Sequence, residues 1–147
     1  MRARIQVLHL CGKMAPEESQ AELVRLGVQG RAYSFFERMD LAYALTDLAI
    51  GRAGATFLAE VEAKGIPAIL VPYPFAGGHQ MENARAFARK THALIIEQKD
   101  LNAGDLSSAL RVELERLDGP RARANAVPEE NPRVRLAEFI LSFAKER

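Results

Sequence analysis

A turn of small residues holds the side chains best suited to chemistry in this chain. Residues 51–56 are mostly glycine and alanine, Arg52 adds a positive charge, and Glu60 follows. We predict a short buried strand over 47–50 and a helix over 57–64. Free N–H groups at a helix start after a parallel strand bind phosphate, although small residues there also simply allow close packing. The pattern predicts a phosphate site at the turn, with Glu60 able to reach an adjoining ribose.

A second polar segment opens the next predicted helix. His79, Gln80 and Asn83 follow a strand that ends at Pro72 and a loop that contains two glycines. In a parallel sheet this loop lies at the same carboxyl edge as residues 51–56. From spacing alone, contact with a shared ligand and simple exposure to water explain His79 and Gln80 equally well. Asn83 can hydrogen-bond either to a ligand or to the loop backbone.

Two further segments follow the first two predicted strands. Residues 9–13 include the only cysteine, Cys11. We favour a structural turn there over the alternative in which Gly12 lets the chain turn close to a ligand. Residues 35–39 combine exposed backbone with an aromatic wall that suits a planar base. Core packing of Phe35 and Phe36 is the favoured alternative there.

Composition and charge exclude several classes of protein. The 147 residues have a net charge of +1, from 20 basic and 19 acidic residues, which gives no electrostatic footprint for nucleic acid. One cysteine and three scattered histidines predict neither an internal disulfide nor a metal cluster. No serine, cysteine or carboxylate arrangement suggests a catalytic set. We therefore predict a binding site with no catalytic residue, metal or cofactor of its own.

The chain contains no apolar run long enough to cross a membrane, and its N-terminus is too polar for a signal peptide. We therefore expect a cytoplasmic protein.

Strand and helix patterns alternate along the chain. This alternation predicts one domain, 1–147, with a doubly wound α/β fold and a mostly parallel sheet, whose apolar strands are covered on both faces by helices. The predicted strands are 5–10, 28–36, 47–50, 66–72 and 93–97, and the predicted helices are 16–26, 37–45, 57–64, 79–90, 106–117 and 132–145.

The order of these motifs resembles a known family. Residues 51–60, 64–72 and 79–84 are similar to the nucleotide-sugar-binding half of the MurG family, the peptidoglycan N-acetylglucosaminyltransferases of the GT-B superfamily. Residues 9–13, 35–39 and 95–97 resemble its other blocks. The resemblance implies the Rossmann-like C-terminal half of a GT-B enzyme without that half's first strand, and without the acceptor-binding N-terminal domain.

The resemblance also implies a role for each candidate residue. Glu60 would bind the ribose hydroxyls, Phe36 and Met39 the uracil, and Arg52 with the turn the diphosphate. His79 and Gln80 would face the sugar and phosphate. The complete predicted UDP-GlcNAc site is Phe36, Met39, Arg52, Ala53, Gly54, Ala55, Thr56, Glu60, His79, Gln80 and Asn83.

The function implied by the resemblance is transfer of GlcNAc, with inversion, from UDP-GlcNAc to undecaprenyl-pyrophosphoryl-muramoyl-pentapeptide, which converts lipid I to lipid II. The full enzyme would be peripheral on the cytoplasmic face of the bacterial inner membrane, and these 147 residues alone are not expected to catalyse transfer. A second copy or a partner chain would complete the sheet. Two alternatives stay open: the donor-binding part of another split or two-domain GT-B transferase, and a non-catalytic UDP-binding module.

Overall fold

A computed structural model of the chain describes residues 5–75 and 78–117. The chain divides into two compact units, Met1–Leu45 and Thr46–Arg147, and each is described by itself. In chain order the elements are β1 (Gln6–Leu10), α1 (Pro16–Arg25), β2 (Gln29–Tyr33), α2 (Met39–Leu45), β3 (Ala49–Gly51), α3 (Ala55–Ala63), β4 (Ala68–Leu70), α4 (His79–Lys90), β5 (Ala93–Ile95) and α5 (Ala103–Leu117).

The first unit is built around two parallel strands. β1 pairs with β2 from Gln6 opposite Gln29 to Leu10 opposite Tyr33, and α1 packs against β2. Proline at the first position of α1 suits a helix start because its φ is already helical and its missing N–H would have no partner there. The unit is therefore one β–α–β crossover followed by the short helix α2.

The strands of the first unit are less covered than the sequence predicts. Leu8 and Leu10 in β1 are 42% and 41% exposed, so the expectation that helices cover both faces of every strand is wrong for β1. α1 packs on this two-stranded sheet, and one helix can shield only one face. An apolar strand sequence does not by itself reveal how many layers cover it.

The second unit holds three parallel strands in the order β3-β4-β5. β3 pairs with β4 and β4 with β5, while α3 and α4 form the crossovers between them. The central strand is fully buried, with Ile69 and Leu70 at 0% exposure. All described strand pairs are parallel, so the prediction of an α/β fold with a mostly parallel sheet is confirmed.

Several predicted boundaries are corrected by the structure. The strands are shorter than predicted, and α2 begins two residues later, at Met39. α3 begins at Ala55 rather than at residue 57, and α5 begins at Ala103 rather than at 106. The early start of α5 has a visible cause: the Asn102 side chain accepts a 3.0 Å hydrogen bond from the N–H of Asp105 and so caps the helix. The predicted helix 132–145 lies outside the described residues.

A buried carboxylate joins α5 to the residue that precedes β5. Glu113 is 0% exposed, and its Oε1 lies 2.7 Å from Nε2 of His92, while its Oε2 lies 3.5 Å from Nη1 of Arg116. Spacing along the chain does not predict this pair, because the two residues are 21 positions apart.

None of the helices in residues 5–75 and 78–117 combines the length and apolar character needed to cross a bilayer.

Candidate functional site

The start of α3 is open to an anion. Gly54 is the cap residue, and it makes no side-chain hydrogen bond to the first turn. The N–H groups of that turn have no acceptor within the helix, and the positive end of the helix dipole lies there. α3 is also the one described helix without an acidic residue in its first turn; α1, α2, α4 and α5 each have one or two. Its positive field is therefore not neutralised locally.

Close packing fixes the entry to this helix. A Cβ added to Gly51 would lie 2.9 Å from Cζ of Phe57, so the aromatic ring rests against the glycine at the end of β3. Ala53 is 0% exposed, and its carbonyl oxygen accepts a 3.3 Å hydrogen bond from Nδ2 of Asn83. The small residues at 51–56 therefore both allow tight packing and leave the amides of the helix start open.

The Arg52 side chain reaches across the carboxyl edge of the sheet. Its Nη1 donates to the carbonyl oxygen of Val71, at 3.1 Å, and to Oε1 of Gln98, at 2.6 Å. Its Cζ lies 5.6 Å from the centroid of the Tyr73 ring, within cation–π range. Because Arg52 follows β3, Val71 follows β4 and Gln98 lies beyond β5, one side chain links the ends of all three strands.

A cleft of about 630 Å³ lies beside this arginine. Its walls are the loop after β4 and the segment after β5, and it has the volume of a typical small-molecule site. Tyr73 and Gln98, which both contact Arg52, are among its lining residues: Pro72, Tyr73, Pro74, Phe75, Gly78, Met81, Glu97, Gln98 and Lys99.

Lys99, the cation among the lining residues of the cleft, is already paired. Nζ of Lys99 lies 3.1 Å from Oε2 of Glu97. The hydrogen bond to Glu97, with the charges of Glu97 and Asp100, raises the pKa of Lys99. Arg52 forms no ion pair with any residue in 5–75 and 78–117, so no carboxylate of this part of the chain pairs with its positive charge.

Among the polar residues of α4, His79 is exposed, whereas Gln80 and Asn83 hydrogen-bond to neighbouring loops. His79 is the exposed first residue of the helix, after Gly78 with a φ of +78°, which favours glycine. Oε1 of Gln80 accepts a 2.9 Å bond from the N–H of Tyr73. Asn83 bonds to the carbonyl of Ala53, as noted above. Of the alternatives left open for Asn83, the bond to the loop backbone is therefore present.

Glu60 lies on α3 with an exposed side chain, one residue before the buried Val61. Ala55 and Thr56 are the exposed first residues of the same helix. The residues predicted to bind diphosphate, ribose and sugar therefore all belong to the second unit.

The two predicted uracil contacts lie in the first unit, between β2 and α2. The Phe36 ring is partly buried against Tyr33, with centroids 5.2 Å apart, and Met39 is the partly buried first residue of α2. The favoured core position for Phe35 is wrong, because its side chain is 76% exposed. The two neighbouring phenylalanines leave β2 in opposite environments, which composition cannot distinguish.

Residues 5–75 and 78–117 contain no group of three or more histidine, cysteine, aspartate or glutamate side chains arranged to hold a metal ion.

Comparison with known proteins identifies the family. The model of the glycosyltransferase family 28 C-terminal domain matches residues 1–139. The chain belongs to this family. The family 28 assignment agrees with the resemblance that the turn at 51–56 and the start of α4 suggested.

The chain is similar to named members of this family. A UDP-N-acetylglucosamine--N-acetylmuramyl-(pentapeptide) pyrophosphoryl-undecaprenol N-acetylglucosamine transferase of Halothermothrix orenii is 40% identical over 71% of the chain and 30% of its own length. The transferase of the same name from Azotobacter vinelandii is 32% identical over 97% of the chain and 41% of its own length. The chain therefore spans well under half of these relatives.

A solved structure supports the fold. The crystal structure of Acinetobacter baumannii MurG matches with a TM-score of 0.75 and 25% identity, over 97% of this chain and 41% of that one. The prediction of a Rossmann-like domain similar to the C-terminal half of MurG is confirmed.

Sequence reasoning missed two residues beside Arg52, namely Tyr73 and Gln98. Tyr73 stands inside the segment that suggested a ligand loop, and Gln98 directly follows residues 95–97, which resemble a family block. Both signals were local, whereas the contacts with Arg52 span 21 and 46 positions of the chain. Only the parallel order of the three strands brings these residues together.

Proposed function

We propose that this chain is the donor-binding domain of a glycosyltransferase that moves GlcNAc from UDP-GlcNAc to undecaprenyl-pyrophosphoryl-muramoyl-pentapeptide. The observation that carries this proposal is the Arg52 guanidinium, which no described carboxylate pairs and whose residue precedes the uncapped start of α3 by two positions. A fixed cation and open amides at one sheet edge suit a diphosphate. The donor sugar and the acceptor are those in the names of the similar transferases from Halothermothrix orenii and Azotobacter vinelandii.

In the proposed reaction, the acceptor hydroxyl attacks the anomeric carbon of GlcNAc and inverts it. The bond from that carbon to the diphosphate breaks, and UDP leaves with the electron pair. The proton of the hydroxyl passes to a base that we assign to an acceptor-binding domain, which also brings the lipid-linked acceptor and the contact with the cytoplasmic face of the inner membrane. This chain stabilises the negative charge of the departing UDP.

We assign each part of the donor to residues of this chain. The diphosphate binds to Arg52 and to the backbone of Ala53, Gly54, Ala55 and Thr56, and the ribose to Glu60. His79 faces the sugar and phosphate. Gln80 and Asn83 hold the loops through their bonds to Tyr73 and Ala53. Phe36 and Met39 in the first unit contact the uracil.

A titration panel tests the donor assignment. Calorimetry of the purified chain with UDP, TDP, GDP and UDP-GlcNAc should give the tightest binding to the two uridine ligands, because Phe36 and Met39 are assigned to the uracil. Equal binding of GDP and UDP would favour a general diphosphate-binding module. Absence of binding to all four ligands at millimolar concentration would contradict the proposed function.

A pair of glutamates on α3 tests the ribose assignment. Glu60→Ala should weaken UDP binding about tenfold, the effect of losing a hydrogen bond from a charged group, while Glu62→Ala should change it less than about twofold. The two side chains leave the helix about 200° apart at ~3.6 residues per turn, so only one can face the ligand. Equal effects of the two substitutions in calorimetry would remove Glu60 from the site.

A further inference from the structure

The Gln98 side chain holds the arginine of the proposed diphosphate site. Its Oε1 accepts the 2.6 Å hydrogen bond from Nη1 of Arg52, shorter than the 3.1 Å bond from the same nitrogen to the Val71 carbonyl. The Tyr73 ring lies 5.6 Å from Cζ of Arg52. Three neighbours from two different loops therefore fix the position of this guanidinium.

The contacts leave part of the guanidinium available. Both hydrogen bonds of Arg52 use Nη1. Its Nη2 and Nε donate to no acceptor among the residues that the structure describes. Arginine presents these donors in a planar fork that matches two oxygens of a phosphate. A guanidinium held by one nitrogen can therefore offer its other donors to a ligand without first having to be ordered.

A neutral acceptor suits this task better than a carboxylate. An amide oxygen orients the arginine but leaves its full positive charge, whereas a carboxylate at the same distance would neutralise it. The adjacent residue illustrates the contrast: Glu97 is a carboxylate, and it pairs with Lys99 at 3.1 Å rather than with Arg52. The segment after β5 thus supplies Arg52 with a neutral acceptor, while its Glu97 carboxylate pairs with Lys99.

We propose that Gln98 is a positioning residue, which holds Arg52 with Nη2 and Nε free to bind the diphosphate while its charge stays uncompensated. This inference rests on the proposed function and adds to it a residue outside the predicted site. Gln98 and Arg52 are 46 positions apart in the chain, and they meet because the order β3-β4-β5 brings their two loops to one edge of the sheet.

Calorimetry with UDP and with uridine tests the role. Gln98→Ala should weaken UDP binding about fivefold, because Arg52 must then be ordered by the ligand, and should leave uridine binding unchanged. Gln98→Glu should weaken UDP binding more than tenfold, because its carboxylate competes with the diphosphate for the arginine. Gln29→Ala removes an exposed glutamine at the first residue of β2, and as the matched control it should change UDP binding less than about twofold.

A double variant separates positioning from a general loop effect. In an Arg52→Ala background, Gln98→Ala should change UDP binding less than 1.5-fold, because the residue on which it acts is absent. The proposal would be overturned if Gln98→Ala weakened UDP binding equally with and without Arg52. It would also be overturned if Gln98→Ala alone bound UDP as tightly as the wild type. Gln98→Glu binding as tightly as the wild type would also contradict it.

The contact can be followed without ligand, which separates this inference from the proposed function. The NMR signal of the Arg52 Nε–H in the free chain should shift and broaden in Gln98→Ala but not in the control variant Gln29→Ala. An unchanged signal would overturn the positioning role even if UDP binds. If the signal shifts while the wild-type chain binds no UDP, the proposed function fails, and with it the ligand role of Gln98, but the contact itself stands.

Discussion

Replacing Arg52 with alanine is expected to weaken UDP binding about 30-fold, which corresponds to roughly 2 kcal/mol for losing charge-assisted hydrogen bonds to a phosphate. Binding of uridine, which lacks the diphosphate, should change less than about twofold. The reason is the uncompensated charge of Arg52 and the two donor nitrogens that its protein contacts leave available. Isothermal titration of the wild type and the variant with both ligands gives the comparison.

Two further variants sharpen the test of Arg52. Arg52→Lys keeps the charge but loses the planar fork, so it should recover only part of the affinity. Arg89→Ala removes the same side chain and charge from the last turn of α4, at the end of the helix away from the site, and should leave the affinity unchanged. If Arg89→Ala weakened UDP binding as much as Arg52→Ala, the effect would be one of net charge, and the site assignment would be wrong.

The second large effect concerns stability. His92→Ala should lower the free energy of unfolding by about 2 kcal/mol, because it leaves the fully buried Glu113 carboxylate without its 2.7 Å partner. We expect less than the largest losses seen for broken buried pairs, since the His92 side chain is 39% exposed and Arg116 remains 3.5 Å from the carboxylate. The melting temperature should fall by roughly 4 to 8 °C for a chain of this length.

Two control experiments test whether the contact with Glu113 causes this loss of unfolding free energy. His79→Ala removes a histidine from an exposed position and should change the free energy of unfolding by less than about 0.5 kcal/mol. In a Glu113→Leu background, which removes the buried carboxyl group, His92→Ala should cost less than about 0.5 kcal/mol. Denaturant titrations in which His92→Ala cost the same in both backgrounds would show that the loss comes from packing and not from the contact with Glu113.

Local patterns in the sequence are sufficient to predict the strands, the helices and the turn of small residues before α3. Strand-length apolar runs alternating with helical patterns gave the parallel sheet, and α4 runs over the predicted residues, 79–90. The small residues before Glu60 marked the helix start where the structure has an uncapped glycine. The predicted start of α3 was two residues late, because Ala55 and Thr56 carry no apolar signal although they already form its first turn.

Contacts between distant positions were not predictable from these patterns. The pairing of His92 with Glu113 joins the residue before β5 to α5, and that of Arg52 with Gln98 joins two loops. Each depends on which strands are neighbours and on how a helix is rotated, and neither property appears in spacing along one chain. Likewise, the exposed Phe35 and the partly buried Phe36 are adjacent residues of one type, and only their packing distinguishes them.

The central claim is that a diphosphate binds at the start of α3 beside Arg52. Its most direct test is an NMR titration of the ¹⁵N-labelled chain with UDP, with uridine titrated in parallel. We predict that UDP, and not uridine, shifts the backbone amides of Ala55 and Thr56 together with the Arg52 Nε–H, to saturation along one binding curve. Saturation by UDP with these three signals unmoved, or moved equally by uridine, would contradict the account.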